Sequence, residues 1–206
     1  MSRSIWSIRA AAPKSASTRE RLLDAAAPLF YERGFHAIGI DNIIDGVGVT
    51  KTTFYNHFES KDALIVAVLD HKDARDLDAL RAEIAARGGT PRERLMVVFD
   101  VLEDWLADPD FRGCLFINAA TQFPHENDPV HRAAARHGEH LRQELATLAR
   151  QAGAPDPVAL AAQLGMLVAA AVTSRHALGD ANAASTVRQV AEALLERLPA
   201  TTGAPP

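Results

Sequence analysis

Three observations in the amino-acid sequence predict an all-α protein, with a small N-terminal head carrying a helix-turn-helix and a larger helical body behind it. Apolar residues recur at helical spacing along most of the chain, and no segment shows a sustained alternating strand pattern. Helix start and stop signals divide the chain at intervals: Ser/Thr-x-x-Glu boxes, Thr-Pro and Asp-Pro pairs, and terminal glycines. The stretch from Asp41 to Lys61, D-N-I-I-D-G-V-G-V-T-K-T-T-F-Y-N-H-F-E-S-K, reads as a short helix, a glycine turn, a second short helix and the start of a third.

The first element is a helix opened by Ser17-Thr18-Arg19-Glu20, which fits a capping box with Ser17 as N-cap and Glu20 reaching back. Leu22, Ala26, Leu29, Phe30 and Arg33 follow at helical spacing, and Gly34 stands where a C-terminal cap belongs. Pro28 falls inside this helix; it deletes the bond to the Asp24 carbonyl and carries an expected strain of ~3 kcal/mol. Phe35 and Ile38 lead into the second helix. Gly48 supplies the left-handed backbone of the turn, and Thr50 caps the third helix. Ile43, Ile44, Val47, Val49, Phe54 and Phe58 supply the buried seam, which leaves Lys51, Thr52, Thr53, Tyr55, Asn56 and His57 to look outward.

The runs L-F-Y-E-R-G-F and I-D-N-I-I-D-G-V-G-V-T-K-T-T-F-Y-N-H-F-E-S-K-D-A-L together resemble the DNA-binding head of the tetracycline-repressor (TetR) family. The likeness runs from about Thr18 to Leu69. It implies that the second helix of the motif enters the major groove. On that resemblance Thr50, Lys51, Thr52, Thr53, Tyr55, Asn56, His57 and Lys61 are the expected DNA-contacting residues. Lys51 can donate to guanine O6 or N7, Thr53 can bind a phosphate, and Tyr55 can bind a phosphate or pack on a thymine methyl. Lys61, at the start of the next helix, adds its charge to that helix's dipole as a phosphate clamp. Thr52 departs from the glycine, alanine or proline common at its place in relatives, so close backbone approach to DNA differs there.

In the body, Ser60 caps a long helix to about Arg87, ended by Gly88-Gly89. Thr90-Pro91-Arg92-Glu93 starts another that ends near Ala107. Asp128-Pro129 and Asp156-Pro157 open two later helices, with Gly153 and Gly179 past their ends. The last helix begins near Ala184. The segment from Leu160 to Val172 is apolar nearly all round, so it needs cover on several sides. Ala161, Gly165 and Ala169 lie four apart on it, and Val187, Val190, Leu194 and Leu198 stripe the last helix. These seven residues are the expected interface of a homodimer, which resembles the paired-helix bundle of the TetR family. Met96, Phe99, Trp105, Phe116, Asn118, Gln122, Phe123, Met166 and His176 mix apolar surface with a few polar anchors, as a small-molecule pocket requires.

Charge supports this division. Net charge is −4 overall, but residues 1–61 hold eight Lys/Arg against six Asp/Glu, and residues 62–206 hold fourteen against twenty. A basic head on an acidic body draws the phosphate backbone to one end. The expected organisation is a flexible basic arm over 1–16 (Arg3, Arg9, Lys14), a helix-turn-helix domain over 17–61, an effector-binding and dimerisation domain over 62–200, and a disordered tail over 201–206. A single cysteine, Cys114, excludes an intramolecular disulfide and suits a reducing compartment. No stretch reads as the ~18 uncharged apolar residues of a membrane span, and the N-terminus lacks the apolar core of a signal peptide, so a cytoplasmic location is expected.

The function expected is a DNA-binding transcriptional regulator, a repressor released from a palindromic double-stranded operator by a small-molecule ligand. No cofactor, catalytic residue or resident metal is expected. Two alternatives stand beside it. Cys114, two residues from Arg112, could sense oxidants or electrophiles. A helical enzyme with a vestigial head is the other, although no G-x-S-x-G, phosphate-cradling glycine loop or H-E-x-x-H occurs. His137, His140 and Glu144 share a helix face at spacings a zinc ion could use, but they match a solvated helix edge as well.

Overall fold

The computed structural model describes Trp6 and residues 17–198. Within them the chain forms nine helices and no strand: α1 (Thr18–Arg33), α2 (Ile40–Val47), α3 (Lys51–Tyr55), α4 (Lys61–Arg87), α5 (Pro91–Leu106), α6 (Leu115–Gln122), α7 (Pro129–Gln151), α8 (Pro157–Leu178) and α9 (Ala183–Glu196). Apart from Trp6, the arm over 1–16 with Arg3, Arg9 and Lys14 lies outside the described residues, as does the tail over 201–206.

The helix starts follow from local hydrogen bonding. The Glu20 N–H donates to Ser17 Oγ at 3.2 Å, and the Ser17 N–H donates to Glu20 Oε2 at 2.7 Å, completing the capping box of α1. Thr90 and Glu93 repeat the exchange at α5. In both boxes the N-cap backbone N–H holds the glutamate carboxyl below its ordinary pKa. Ser60 accepts from Ala63 N–H at 3.0 Å, and Asp156 from Ala159 N–H at 2.9 Å, so α4 and α8 begin where their capping residues stand. Pro28 lies inside α1, which nonetheless continues unbroken to Arg33.

The described residues group into two compact units. One joins residues 17–75, which hold α1 to α3 and the first half of α4, to residues 114–137, which hold α6 and the first turns of α7. Its core is built on Leu22, Phe30, Phe35, Ile43, Phe54 and Leu64, all 1% exposed or less. This unit thus runs past residue 61 into α4 and takes in α6.

The other unit holds Trp6, Asp76–Gly113 and residues 138–198. Here α9 packs on α8 and α5. The Arg188 guanidinium reaches Asp100 of α5, and an Arg92 N–H donates to the Leu198 carbonyl. Gly165 of α8 is turned toward α7: a Cβ there would lie 3.4 Å from Arg142 Cγ and 4.0 Å from Leu145 Cδ1. By length and composition α8 is apolar enough to cross a membrane, contrary to the sequence expectation, because the stretch from Pro157 to Ser174 contains no charged residue.

Candidate nucleic-acid interface

The motif is built around α3, a helix of five residues. Gly48 ends α2 in the left-handed region (φ 74°, ψ 41°), and its N–H donates to the Ile44 carbonyl at 2.8 Å. That conformation costs an L-residue ~1–2 kcal/mol, which explains the glycine. Thr50 then caps α3, accepting from the Thr53 N–H at 3.1 Å. Its hydroxyl also bonds the Thr53 hydroxyl at 2.9 Å, which fixes both side chains.

Beneath α3, Phe54 is fully buried and Phe58 nearly so, with ring centroids 5.7 Å apart. Ile43 and Ile44 complete the seam, whereas Val47 and Val49 are half-buried. The outer surface follows the sequence reading. Thr50, Lys51, Thr52, Tyr55, Asn56 and His57 are exposed, Tyr55 at 50%, and Thr53 and Lys61 are partly exposed. Two arginines brace the motif from α1: Arg21 donates to the Val47 carbonyl at 2.6 Å, and the Arg19 guanidinium sits 5.1 Å above the Phe58 ring.

Lys51 already has an ionic partner, since its ammonium lies 2.9 Å from Asp41 on α2. The hydrogen bond to Asp41, then its charge, raises the Lys51 pKa above its ordinary value. Sequence reading missed this pair, although an acidic residue ten positions before a candidate DNA-contacting lysine was visible.

It also missed the attachment at the end of α6. Gln122 Oε1 accepts the Phe35 N–H at 2.9 Å, and the Gln122 carbonyl lies 3.1 Å from His36 Nε2. Phe123 packs on both residues, with centroids 6.0 Å from Phe35 and 4.9 Å from His36. The approach is close at Gly34 (φ 81°), where a Cβ would come within 3.2 Å of Gln122 Oε1. At the other end of α6, the Phe116 ring stacks on His137 at 3.7 Å, and His137 Nδ1 lies 2.7 Å from Asp73 of α4. The loop leaving α1 is therefore bonded directly to α6.

The expected pocket residues fall into several settings. Phe99 and Phe116 are buried, Asn118 and Met96 half-buried, and Met166 is 64% exposed. Gln122 and Phe123 are engaged with the α1–α2 loop, while Trp105 and His176 both pack around Phe111. Of the expected interface residues, Ala169 and Val190 are exposed, Gly165 and Leu194 half-buried, and Ala161, Val187 and Leu198 buried within the chain's own fold. Cys114 is 9% exposed at the start of α6. Glu144 is bound by Arg81 and His137 by Asp73, so two of the three residues weighed for zinc have other partners.

Two outcomes test this geometry. Asp41→Asn releases Lys51, so affinity for duplex DNA measured by fluorescence anisotropy should rise about threefold or more at low salt, and the gain should shrink as salt screens it. Gln122→Leu leaves the Phe35 N–H without its acceptor, a loss of ~1–3 kcal/mol in the local opening energy. Hydrogen exchange at that amide should quicken about tenfold or more, while Gln122→Glu, which keeps an acceptor, should not quicken it.

The comparisons with known proteins agree with the motif. Residues 22–68 match the family model described as bacterial regulatory proteins, tetR family, and residues 91–191 match the tetracyclin repressor-like C-terminal domain. A TetR-family transcriptional regulator from Streptomyces coelicolor is 33% identical, with a TM-score of 0.76 over 87% of this chain and 95% of that one. Another from Streptomyces avermitilis is 32% identical, with a TM-score of 0.72 over 86% and 99%. Among curated relatives, the transcriptional activator FasR of Mycolicibacterium smegmatis is 35% identical over 43% of this chain and 40% of its own length. The transcriptional repressor NemR of Escherichia coli is 28% identical over 51% and 53%. The chain thus spans about half or less of the curated relatives it matches. With both family models placed in order, and likeness to the two Streptomyces structures over 86–87% of its length, this chain belongs to the TetR family of transcriptional regulators.

Proposed function

We propose that this chain is a homodimeric, cytoplasmic DNA-binding regulator that represses transcription from a partly palindromic operator and is released by a small molecule. The observation that carries the reading is the presentation of α3. Capped by Thr50 and anchored by Phe54, α3 offers Lys51, Thr52 and Tyr55 to solvent, and Asn56 and His57 follow, also exposed, just past its end. Such a helix fits a major groove, and Lys61 at the first turn of α4 suits a flanking phosphate.

The dimer reading rests on the solvent face of α8 and α9. Met166, Ala169 and Ala170 on α8 and Val190 and Ala193 on α9 are exposed, and Met166 and Val190 are large apolar groups left in water. A second copy covers such a face by two-fold pairing of like helices. The interface is accordingly assigned to these residues, with Gly165 turned toward α7. Two α3 helices meet successive major grooves only when ~34–36 Å apart. A ligand that favours a different spacing weakens operator binding only through its unequal affinity for the two forms. Repression is supported by the relative NemR, named a repressor, while FasR is named an activator.

Met166→Glu, which places a charge in the proposed interface, should yield monomers in sedimentation velocity and weaken binding to a selected palindromic site by about 30-fold or more. A variant that stays dimeric would move the interface elsewhere. Lys61→Ala should weaken binding across sequences alike and lower the salt slope, log K against log salt, by about 0.9. An unchanged slope would remove Lys61 from the phosphate contacts.

A further inference from the structure

The first turns of α2 and α3 bring one acid and one base together on the surface of the helix-turn-helix. Lys51 Nζ lies 2.9 Å from Asp41 Oδ1 and 3.2 Å from Oδ2, and the two side chains remain 58% and 69% exposed. Neighbouring polar groups have other duties. Asn42 Oδ1 accepts the Gly39 N–H at 3.0 Å at the start of α2, and the Thr50 and Thr53 hydroxyls bond each other. The scaffold sets the span of the pair, because the left-handed Gly48 and the fully buried Phe54 fix α3 against α2.

An acid beside a DNA-contacting lysine weakens binding to every duplex, since phosphates repel it and it holds the ammonium that they attract. That cost is offset only where the carboxylate finds a donor. The base pairs offer two in the major groove, the amino groups on cytosine N4 and adenine N6. Guanine sets two acceptors, O6 and N7, beside the cytosine amino group, and the N4–H···O6 bond of that pair spans ~2.9 Å. The ammonium of Lys51 and the carboxylate of Asp41 lie the same distance apart.

Over a G·C pair, Lys51 exchanges Asp41 for O6 and N7, and Asp41 exchanges Lys51 for the N4 amino group, so every donor meets an acceptor. The inverted C·G pair puts donor on donor and acceptor on acceptor. An A·T pair gives the carboxylate adenine N6 but leaves the ammonium a single acceptor. A backbone phosphate takes the ammonium and leaves the carboxylate without a partner.

We propose that Asp41 is a specificity-determining residue, which with Lys51 reads one G·C pair in a fixed orientation, Lys51 on guanine O6 and N7 and Asp41 on cytosine N4. This assignment rests on the regulator reading above, since bases are read only if α3 enters the major groove.

The test is binding-site selection from a random duplex library, using the full chain and its Asp41→Ala and Lys51→Ala variants. The parent should select a half-site with one G·C pair whose inversion to C·G lowers affinity about tenfold or more. Asp41→Ala should cut that preference to about threefold or less at this position alone and keep the rest of the logo, which a misfolded head could not do. Lys51→Ala should lose the same position. A second measurement removes the amino group instead of the residue. With that cytosine replaced by pyrimidin-2-one, the parent should lose about fivefold more affinity than Asp41→Ala does. Equal losses by the two proteins on the altered duplex overturn the assignment. A parent that selects a site whose logo Asp41→Ala leaves intact sinks this assignment alone, whereas a parent that selects no sequence sinks the regulator reading and this one with it.

Discussion

A five-residue helix cannot hold itself together. Nucleation fixes several residues for one hydrogen bond, and isolated helices shorter than ~12–15 residues are marginal in water. Everything that α3 offers to solvent therefore depends on the contacts that hold it from below and at its ends. The left-handed Gly48 aims the chain out of α2, the Thr50 cap satisfies the first free N–H, and Phe54 fastens the underside. Arg21 on the Val47 carbonyl and Arg19 over Phe58 tie the same turn back to α1. The scaffold and the outward surface are thus largely separate, although Thr50, Lys51 and Tyr55 of the outer face also make contacts within the chain.

That separation explains why the head was legible from sequence. Caps and turn glycines act over three or four residues, and the capping boxes at Ser17 and Thr90, the Thr50 cap and the Gly48 turn all stand where local chemistry put them. Contacts of long sequence separation were not legible. Nothing near Gln122 indicates that its side chain accepts an N–H from Phe35, eighty-seven residues away. Trp6 gives no local sign of burial either, as it belongs to no periodic segment. On α8 the failure is of another kind. A helix apolar nearly all round has no single stripe, so periodicity could not tell that Ala161 is buried within the chain while Ala169 is exposed.

The attachment of α6 gives the head a mechanical neighbour. A neutral amide–backbone hydrogen bond is a modest net stabiliser, but an N–H left without its acceptor costs more than the bond contributed. The α1–α2 loop thus follows Gln122 more readily than it parts from it. At the opposite end, the Phe116–His137 stack and the His137–Asp73 contact join α6 to α7 and α4. The eight-residue α6 is thus fastened at both ends within the same unit as the helix-turn-helix.

One residue proposed for recognition, Lys51, already has a partner inside the chain. Asp41 stands in for a phosphate or base acceptor at Lys51. Each internal partner lowers the affinity for an outside one, because the outside molecule must first displace it. The reduction is not uniform. A neutral or weakly charged competitor gains little at Lys51, whereas a polyanion that releases condensed counterions gains a great deal there. Occupancy by the chain's own groups thereby converts general stickiness into discrimination, since only partners that outbid a chemically similar resident leave a net free energy with which to shift the population.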